Sequence, residues 1–389
     1  MSVTAPYGFR AAGVPAGLKS TGAPDVAVVV NDGPQYAAAG VFTSNRVRAA
    51  PVRWTMPLVD RHLGGGQLTA VVLNSGGANA CTGSAGFADT VATAEAAASA
   101  LGITSDRVGV CSTGLIGERL PMPSLLTGLD AAITALDADE VGGSTAAAAI
   151  MTTDTVPKTV VVHSDGFRIG GMAKGAGMLA PGLATMLVVL TTDAAASPDQ
   201  LDTALRSASR MTFDRLDSDG AMSTNDTVLL LASGASGIRP DASTLTAAVT
   251  AACSDLAAAL MADAEGATKE ISIEVTQALS QDQAVEVGRA VARNNLVKTA
   301  FFGQDPNWGR ILAAVGTTAA RFDPDLLDVA INDVWVCRGG STGDPRAGVD
   351  LSGRSVHVVI DLHAGTETAT ILTNDLSHGY VHENSAYSS

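Results

Sequence analysis

The chain has 389 residues, of which 46% are hydrophobic and 16% are charged, and its formal net charge is -15. This acidic balance disfavours nucleic acids and anionic membranes as partners, because binding to either requires a basic face. The hydrophobic content argues against extensive disorder. The length exceeds the size at which a single core usually stops growing, so we expect two domains.

The first ten residues lack the basic segment and long apolar run of a secretory signal, and no uncharged apolar stretch reaches membrane-spanning length.

Cysteine and histidine spacing gives no sign of disulfides or of a metal site. The cysteines are widely separated, which indicates reduced thiols in a cytoplasmic protein. His378 and His382 stand four apart, but no third ligand pattern lies nearby, so we expect no metal.

Short apolar runs predict a series of strands along the chain. These runs are 26–30, 70–73, 108–111, 159–162, 186–190, 228–231 and 271–275. Later, residues 356–360 and 368–373 alternate between apolar and polar side chains. That alternation predicts two more strands, each with one solvated face.

Helical patterns alternate with these strands. The clearest has an apolar face within 201–208 and is introduced by Ser197, Pro198 and Gln200, which form a capping-box entry with proline in the first turn. Two further segments predict helices, 92–100 and 243–263.

The whole pattern predicts a mixed α/β fold. We expect a layered sandwich of helices on stacked sheets, followed by a second, smaller α/β domain. The best candidate boundary is the glycine turn at 234–237 with Pro240 just after it. This boundary gives a main domain of residues 1–235 and a C-terminal domain of residues 236–389.

The glycine-rich segment of residues 170–182 predicts a turn that delivers Thr185 onto an apolar strand. A threonine hydroxyl is a poor nucleophile unless a base takes its proton, and one such base is its own α-amine after cleavage of the preceding peptide bond. That amine has a pKa of about 8. Ala184 leaves room for the attack, and the neighbouring glycines and proline permit the backbone that it needs. Thr185 is therefore a candidate nucleophile, although threonine is also an ordinary strand residue.

Attack of a hydroxyl on a carbonyl carbon would develop negative charge on the carbonyl oxygen, so hydrogen-bond donors are needed beside the nucleophile. Thr113 and Gly114 are candidates because they follow the strand predicted at 108–111. A glycine there lets backbone N–H groups point into a pocket, and the threonine hydroxyl adds a donor. The alternative is a simple polar turn after a strand.

Lys174 lies among glycines, but their order is not that of a phosphate-binding loop, and no Ser or Thr follows the lysine. A lysine on a flexible loop shortly before the nucleophile is suited to bind the carboxylate of an amino acid. A solvated surface lysine is the alternative.

Glu265 falls at the end of the helix predicted at 243–263, with Gly266 as a natural stop. A carboxylate there opposes the helix dipole, which favours a cationic partner such as an ammonium group. The alternative is a solvated helix end.

The segment Lys174-Gly-Ala-Gly-Met-Leu-Ala-Pro, followed by Leu-Ala-Thr185-Met-Leu, resembles the self-cleaving ornithine acetyltransferase family, also called glutamate N-acetyltransferase. The similarity runs over essentially the whole chain in several ordered motifs. They are Asn74-Ser-Gly-Gly-Ala-Asn79-Ala, Ser112-Thr113-Gly114-Leu-Ile-Gly117, Thr152-Thr153-Asp154-Thr155, Asp263-Ala-Glu265-Gly266-Ala-Thr-Lys269, Asp305-Pro-Asn-Trp308-Gly-Arg310 and Glu383-Asn384-Ser385-Ala386.

The resemblance implies a role for each matching residue. It makes Thr185 the nucleophile, Ala184-Thr185 the bond that is cut, and Thr113 with Gly114 the oxyanion hole. The substrate-binding positions that it implies are Lys174, Thr185, Glu265, Asn384, Ser389 and one or both of Thr152 and Thr153. It also implies that the last residues fold back over the site.

Two positions depart from the family pattern. Ser389 replaces a commoner threonine and keeps its hydroxyl. Gly77 replaces a commoner asparagine, which bears on a local turn.

The reaction implied by the resemblance belongs to arginine biosynthesis. An acetyl group moves from N2-acetylornithine to L-glutamate through an ester on Thr185, giving L-ornithine and N-acetylglutamate in two half-reactions at one site. This ping-pong scheme requires neither a cofactor nor a metal. The resemblance further implies that fragments 1–184 and 185–389 stay associated, two of each.

Three alternatives remain open at this point. Acetyl-CoA is a second donor for some family members. An amidase or aminopeptidase with an N-terminal threonine would share the nucleophile but let water resolve the acyl intermediate. A non-catalytic metabolite-binding protein would use Lys174 and Glu265 without cleaving itself.

Overall fold

A computed structural model describes residues 2–177 and 186–386. Contacts divide the chain into two compact units. The first unit comprises the chain up to Asp214 together with Met222–Leu260. The second comprises Arg215–Ala221 and the chain from Met261 onward.

The first unit is built from two sheets and the helices that cover them. Its strands are β1 (Phe9–Val14), β2 (Val26–Asn31), β3 (Ala37–Phe42), β4 (Ala70–Asn74), β5 (Val108–Ser112), β6 (Lys158–Ser164), β7 (Phe167–Lys174), β8 (Leu187–Thr192) and β9 (Thr227–Ala232). Its helices are α1 (Ala50–Val59), α2 (Gly83–Leu101), α3 (Met122–Thr134), α4 (Glu140–Ala149), α5 (Pro198–Met211) and α6 (Ala242–Ala262).

The strands form one sheet in the order β1-β2-β4-β5 and another in the order β3-β9-β8-β7-β6. The pairs β4/β5 and β8/β9 are parallel, and the other neighbours are antiparallel. Successive side chains of a strand point to opposite faces of its sheet, so each sheet has two faces to cover. Buried side chains of both sheets meet in one cluster between them, with Val29 and Leu73 from the first sheet and Val189 and Leu229 from the second.

Helices cover the outward faces of the two sheets. Val28 and Val72 of the first sheet pack with Leu125 and Leu129 of α3 and with alanines of α2. On the second sheet α5 contacts β3 and β9, and α6 contributes Leu256 beside β7. The order helix, sheet, sheet, helix confirms the predicted layered sandwich.

Helix α6 belongs to the first unit almost to its end. Leu245, Val249 and Leu256 on its apolar side are fully buried. By length and composition α6 alone would satisfy the requirements for a membrane span among the described residues, but half of its apolar window is buried within the protein, as in a core helix. The units therefore divide after Leu260, whereas the sequence placed the boundary at the glycine turn after residue 235.

The second unit contains one sheet and further helices. Its strands are β10 (Glu270–Ala278), β11 (Asp328–Ile331), β12 (Val334–Arg338), β13 (Ser341–Thr342), β14 (Ser355–Asp361) and β15 (Glu367–Asn374). Its helices are α7 (Gln281–Ala292), α8 (Asn295–Phe302), α9 (Trp308–Val315) and α10 (His378–Ala386). The strand order is β13-β12-β11-β14-β10-β15, and the apolar face of α7 packs on β10 and β15.

The predicted strands and helices are confirmed as elements. Most ends shift by a few residues only, but α2 begins at Gly83 and not at residue 92. The capping box of α5 is present, since the Ser197 hydroxyl accepts from Gln200 N and the Gln200 side chain accepts from Ser197 N. The prediction of a glycine-rich turn around 170 is wrong, because Gly170 and Gly171 lie within β7. A Cβ at Gly170 would lie 2.1 Å from Ser2 O, so glycine allows a close approach of backbone at this position.

Candidate active site

The site begins where two parallel strands of the first unit end side by side. Asn74 ends β4 and Ser112 ends β5, and the two residues are paired in register. The Ser112 hydroxyl donates to Asn74 Oδ1 at 2.6 Å, and Thr113 N donates to Asn74 O at 3.0 Å. Thr113 is 2% exposed. The predicted strand thus delivers the Thr113 hydroxyl into the interior and not into a solvated turn.

Glycine is required at position 114, because a side chain there would clash with the neighbouring backbone. Its φ is +127°, and a Cβ there would lie 2.6 Å from both Gly76 C and Gly77 N. Gly77 forms a β-bridge with Thr113, so the two loops lie directly against each other. The backbone at Thr113 and Gly114 is therefore held in one conformation before any substrate binds.

Lys174 lies at the end of β7 and is 1% exposed. Its Nζ donates to Thr113 Oγ1 at 3.3 Å. The prediction of a lysine on a flexible loop is wrong, and so is the alternative of a surface lysine, because Lys174 is paired with Leu187 within the sheet. Since the lysine donates to the threonine oxygen, the Thr113 hydroxyl hydrogen is not used in this contact and can be donated to a developing oxyanion.

Asp154 connects the Thr152-Thr153 segment to Gly175, the residue that follows Lys174. Its carboxylate is buried and accepts from Lys158 Nζ at 2.6 Å, Gly175 N at 2.7 Å and Thr152 N at 2.9 Å. Burial raises the pKa of Asp154, but the charges of Lys174 and Lys158 and the hydrogen bond from Gly175 outweigh it, and the net pKa is lowered. The ionised carboxylate thus fixes the segment beside Gly175, and the choice between the two threonine hydroxyls stays a prediction.

Lys19 is a functional candidate that the sequence analysis missed. Burial lowers its pKa and the charge of Lys174 acts in the same direction, while Asp25 and Asp154 oppose the shift. Asp25 fixes the loop that carries Lys19 by accepting from the backbone N–H groups of Leu18 and Lys19. Lys19 and Lys174 therefore lie close enough for their charges to interact, in a region that also holds Asp25, Asp154 and the ion-paired Lys158.

Two further residues that the sequence analysis missed stand directly before β9. Asn225 Nδ2 donates to Ala78 O at 2.6 Å and to Ser112 O at 2.8 Å. Asp226 Oδ1 accepts from Met186 N at 3.1 Å. Burial raises the pKa of Asp226 well above its usual range, although the hydrogen bonds from Met186 N and the Ser223 hydroxyl and the charge of Lys174 act to lower it. In the sequence, Asn225 and Asp226 could have been recognised as a polar pair directly before an apolar strand.

Glu265 and Asn384 come together within the second unit. Asn384 Nδ2 donates to Glu265 Oε2 at 2.9 Å. Gly266 is in close contact with α10, since a Cβ there would lie 2.1 Å from Tyr380 N. The structure therefore places the C-terminal helix, α10, beside Glu265 and Gly266. Both residues stay predictions as substrate ligands.

The remaining predicted positions, Ala184, Thr185 and Ser389, lie outside the described residues. Their roles therefore stay predictions. The residue that follows Thr185, Met186, is described and is fully buried.

Metal-binding and disulfide chemistry have no candidate residues in the described part of the chain. Across residues 2–177 and 186–386, no group of three or more His, Cys, Asp and Glu side chains is placed to hold a metal ion. The four cysteines are free thiols, of which Cys81 is exposed and the others are buried.

Comparison with known proteins agrees with the motifs. The model of the ArgJ family matches residues 10–389. The arginine biosynthesis bifunctional protein ArgJ of Streptomyces coelicolor is 62% identical over 389 residues, covering 100% of both chains. The protein of the same name from Mycobacterium tuberculosis is 58% identical over 393 residues, covering 100% of this chain and 96% of the relative.

Solved structures give a similar result over a shorter stretch. The chain is similar to the ornithine acetyltransferase of M. tuberculosis solved in complex with ornithine, at 58% identity, with a TM-score of 0.45 over 48% of this chain and 96% of that one. The family match spans nearly the whole chain, and relatives above 50% identity cover it end to end. The chain belongs to the ArgJ family.

Proposed function

We propose that this protein is an acyltransferase of arginine biosynthesis that moves an acetyl group from N2-acetylornithine to L-glutamate. The observation that carries the proposal is the buried contact between Lys174 and the Thr113 hydroxyl, beside the constrained backbone of Gly114. Family membership supports the pathway, because relatives at 58–63% identity are named for arginine biosynthesis. The ornithine acetyltransferase of M. tuberculosis, 58% identical in sequence, was solved with ornithine bound.

Processing comes first in the proposed mechanism. The Thr185 hydroxyl attacks the carbonyl of Ala184, the peptide bond breaks, and the hydroxyl proton is transferred to the departing nitrogen. Water then hydrolyses the resulting ester and leaves a free hydroxyl and a free α-amine on Thr185.

Acetyl transfer then proceeds in two half-reactions. The Thr185 hydroxyl attacks the acetyl carbonyl of N2-acetylornithine while its α-amine takes the proton. The negative oxygen accepts hydrogen bonds from the Thr113 hydroxyl and the Gly114 N–H. The proton passes to the leaving amine, ornithine departs, and the α-amine of glutamate attacks the acetyl ester to give N-acetylglutamate.

Recognition of the substrates rests on charge. Both the donor and the acceptor carry a carboxylate, and Lys174 and Lys19 provide cations in the first unit. We assign further substrate contacts to Thr152 or Thr153, to Glu265 and Asn384, and to Ser389.

The proposed cut leaves the two fragments joined by a sheet. Strand β7 precedes the bond and β8 follows it, and the two strands pair from Ile169↔Thr192 to Lys174↔Leu187. Separation would expose a buried strand on each side, so the fragments stay together. We extend the proposal to an assembly of two 1–184 and two 185–389 fragments in the cytoplasm.

An exchange assay tests the proposed reaction. Purified protein is given N2-acetylornithine with an isotopically labelled acetyl group, with and without L-glutamate. Labelled N-acetylglutamate is expected with the acceptor, and little labelled acetate without it. Rapid acetate release without the acceptor would instead identify a hydrolase, and ligand binding without either product would identify a metabolite-binding protein.

The term bifunctional in the names of the relatives favours a second donor. Acetyl-CoA would acylate the same threonine and supply glutamate with a new acetyl group. Formation of N-acetylglutamate from acetyl-CoA and glutamate, measured without acetylornithine, tests this second activity. No product above the background of a Thr185→Ala variant would restrict the protein to exchange.

A further inference from the structure

Strand β5 lies at the edge of its sheet, so its last peptide group has a neighbouring strand on one side only. In the order β1-β2-β4-β5, the strand beside it is β4. The N–H of Thr113 points to β4, where it donates to Asn74 O at 3.0 Å. The N–H and the C=O of a trans peptide group point in opposite directions, so the carbonyl of Ser112 points away from β4 and needs a donor from outside the sheet.

Asn225 supplies that donor. Its Nδ2 donates to Ser112 O at 2.8 Å and to Ala78 O at 2.6 Å, so both of its N–H groups are used. Its Oδ1 accepts from Thr224 Oγ1 at 2.6 Å. The amide cannot be reversed, because reversal would place its oxygen beside two carbonyl oxygens. The buried Asn225 side chain is therefore held in one orientation.

The two acceptor carbonyls belong to the two loops that pack against each other at the candidate site. Ala78 N donates to Leu115 O at 2.9 Å, which joins the loops directly. Asn225 joins them a second time, through Ala78 O on one loop and Ser112 O on the other. This second link falls immediately before Thr113, the residue whose hydroxyl the proposed reaction uses.

The Ser112-Thr113 peptide group is thus fixed at both of its polar ends. Asn74 O accepts from its N–H, and Asn225 donates to its C=O. The plane of this group includes the Cα of Thr113, so a rotation of the plane would displace the Thr113 hydroxyl. A buried carbonyl that loses a donor is unfavourable, so removal of the Asn225 amide would favour such a rotation.

We propose that Asn225 is a positioning residue for acetyl transfer, which fixes the Ser112-Thr113 peptide group and so keeps the Thr113 hydroxyl in place for the oxyanion. This inference rests on the proposed function, in which that hydroxyl stabilises the negative oxygen. In this scheme Asn225 bonds neither the substrate nor a reacting atom. It acts only through the loop that carries Thr113.

The test compares Asn225→Asp with Asn31→Asp in the full chain. Aspartate has almost the shape of asparagine, but it cannot donate to two carbonyls at once. Asn31 is the matched control, because it is buried in the same unit and its Nδ2 also donates to two carbonyls, Gln35 O at 3.0 Å and Ala232 O at 3.1 Å. It stands at the end of β2 that is remote from the candidate site.

Steady-state acetyl exchange separates positioning from binding. We expect Asn225→Asp to lower kcat at least about tenfold, because small displacements of a catalytic group have large effects on rate, and to change KM for N2-acetylornithine less than about threefold. Asn31→Asp should keep kcat within about threefold of wild type. If kcat of Asn225→Asp also stays within that range, the proposal is overturned.

A second background shows whether the effect passes through Thr113. In Thr113→Val the hydroxyl is absent, so a shift of the loop has no hydroxyl to misplace. We expect Asn225→Asp to lower kcat of Thr113→Val by less than about threefold. An equal loss of kcat in both backgrounds would show that Asn225 only supports the fold, and would overturn the proposal.

Amide hydrogen exchange tests the positioning without any activity. Peptide mass spectrometry follows the Thr113 N–H, which Asn74 O protects in the wild type. We expect Asn225→Asp to speed its exchange at least about tenfold and Asn31→Asp to leave it unchanged. Unchanged exchange in Asn225→Asp would contradict the proposal. If the wild-type protein transfers no acetyl group, the proposed function fails, which is a separate result.

Thermal unfolding identifies the folded protein for each variant. If Asn225→Asp does not fold, Asn225→Ser replaces it and Asn31→Ser becomes the control. Serine is smaller than asparagine and donates one hydrogen bond at most. The same losses of kcat and of protection are expected, and the same outcomes would overturn the proposal.

Discussion

At the scale of single residues, burial determines what each polar group of the site can do. Thr113 and Lys174 are both almost fully buried, so their contact lies in a region of low dielectric, where hydrogen bonds and charges act strongly. Lys174 also orients the Thr113 hydroxyl by donating to its oxygen. Substitution of either residue therefore affects the electrostatics of the site more than its packing.

Thr113→Val tests the oxyanion role. Valine has nearly the shape of threonine but no hydroxyl, so it removes one donor. We expect kcat for acetyl exchange to fall about 100-fold or more, as for the loss of one oxyanion donor, with a smaller change in KM. Steady-state rates with acetylornithine and glutamate measure the effect.

Thr113→Ser is the matched control, because it keeps the hydroxyl and should retain most of the activity. An active Thr113→Val enzyme would show that this hydroxyl does not stabilise the transition state.

The sequence predicted Thr113, Gly114 and Lys174 as candidates from their local context. It did not predict Asn225, because its contacts with Ala78 and Ser112 join residues more than 110 positions apart. Neither spacing nor composition carries a signal for such pairs. Only the folded chain brings them together.

At the scale of elements, glycines determine how closely the loops of the site approach each other. Gly114 and Gly117 both have positive φ, +127° and +92°. A Cβ at Gly114 would clash with the backbone of Gly76 and Gly77, whereas one at Gly117 would meet no atom within 4 Å. Gly114 is therefore needed both for its positive φ and for the close approach of the loops, whereas Gly117 is needed only for its positive φ.

This difference in packing predicts that Gly114→Ala and Gly117→Ala have unequal effects. Both substitutions incur the cost of a positive φ, about 1–3 kcal/mol. Gly114→Ala must also displace backbone, so we expect it to lower the unfolding midpoint further and to reduce acetyl exchange at least about tenfold. Gly117→Ala serves as the control, and thermal unfolding with exchange rates measures both. Equal losses in the two variants would contradict the close packing of the loops.

The elements that the sequence predicted well have local causes. The start of α5 depends on Ser197 and Gln200, three residues apart, and the capping box forms as expected. Strand β7 has no such local cause. Gly170 and Gly171 are typical of a turn, yet they lie in the sheet, where the backbone of Ser2 and the side chain of Leu190 leave no room for a Cβ.

At the scale of the whole molecule, charge is distributed unevenly. The chain has a formal net charge of -15, yet Lys19, Lys158 and Lys174 interact with one carboxylate, Asp154. Net charge argued against a basic binding face, but it gave no indication that buried lysines and carboxylates cluster in one region. Likewise, the glycine turn after residue 235 was the strongest boundary signal, whereas the packing of α6 determines the division.

Asp217 of the second unit predicts how stability depends on pH. Burial raises its pKa to about 6, although the charge and the hydrogen bond of Arg293 act to lower it. Below pH of about 4 the carboxyl is protonated in both the folded and the unfolded chain. Between about 4 and 6 only the unfolded chain ionises fully, so the free energy of unfolding falls as pH rises, by up to about 3 kcal/mol for two pKa units.

Asp217→Asn should remove this dependence. We expect the wild-type midpoint in denaturant to fall more between pH 4 and pH 7 than that of the variant. Asp130→Asn, at an exposed position of α3, provides the control and should follow the wild type. Parallel pH profiles for the wild type and Asp217→Asn would contradict the assigned pKa.

The most direct test of the proposed function is to locate the acetyl group on the enzyme. Protein mixed with labelled N2-acetylornithine in the absence of glutamate is quenched in acid, and peptide mass spectrometry locates the label. We expect one acetyl group on Thr185, in a fragment that begins at that residue, and its loss when glutamate is added. Label on another residue, or undiminished acetyl exchange by Thr185→Ala, would contradict the proposed mechanism.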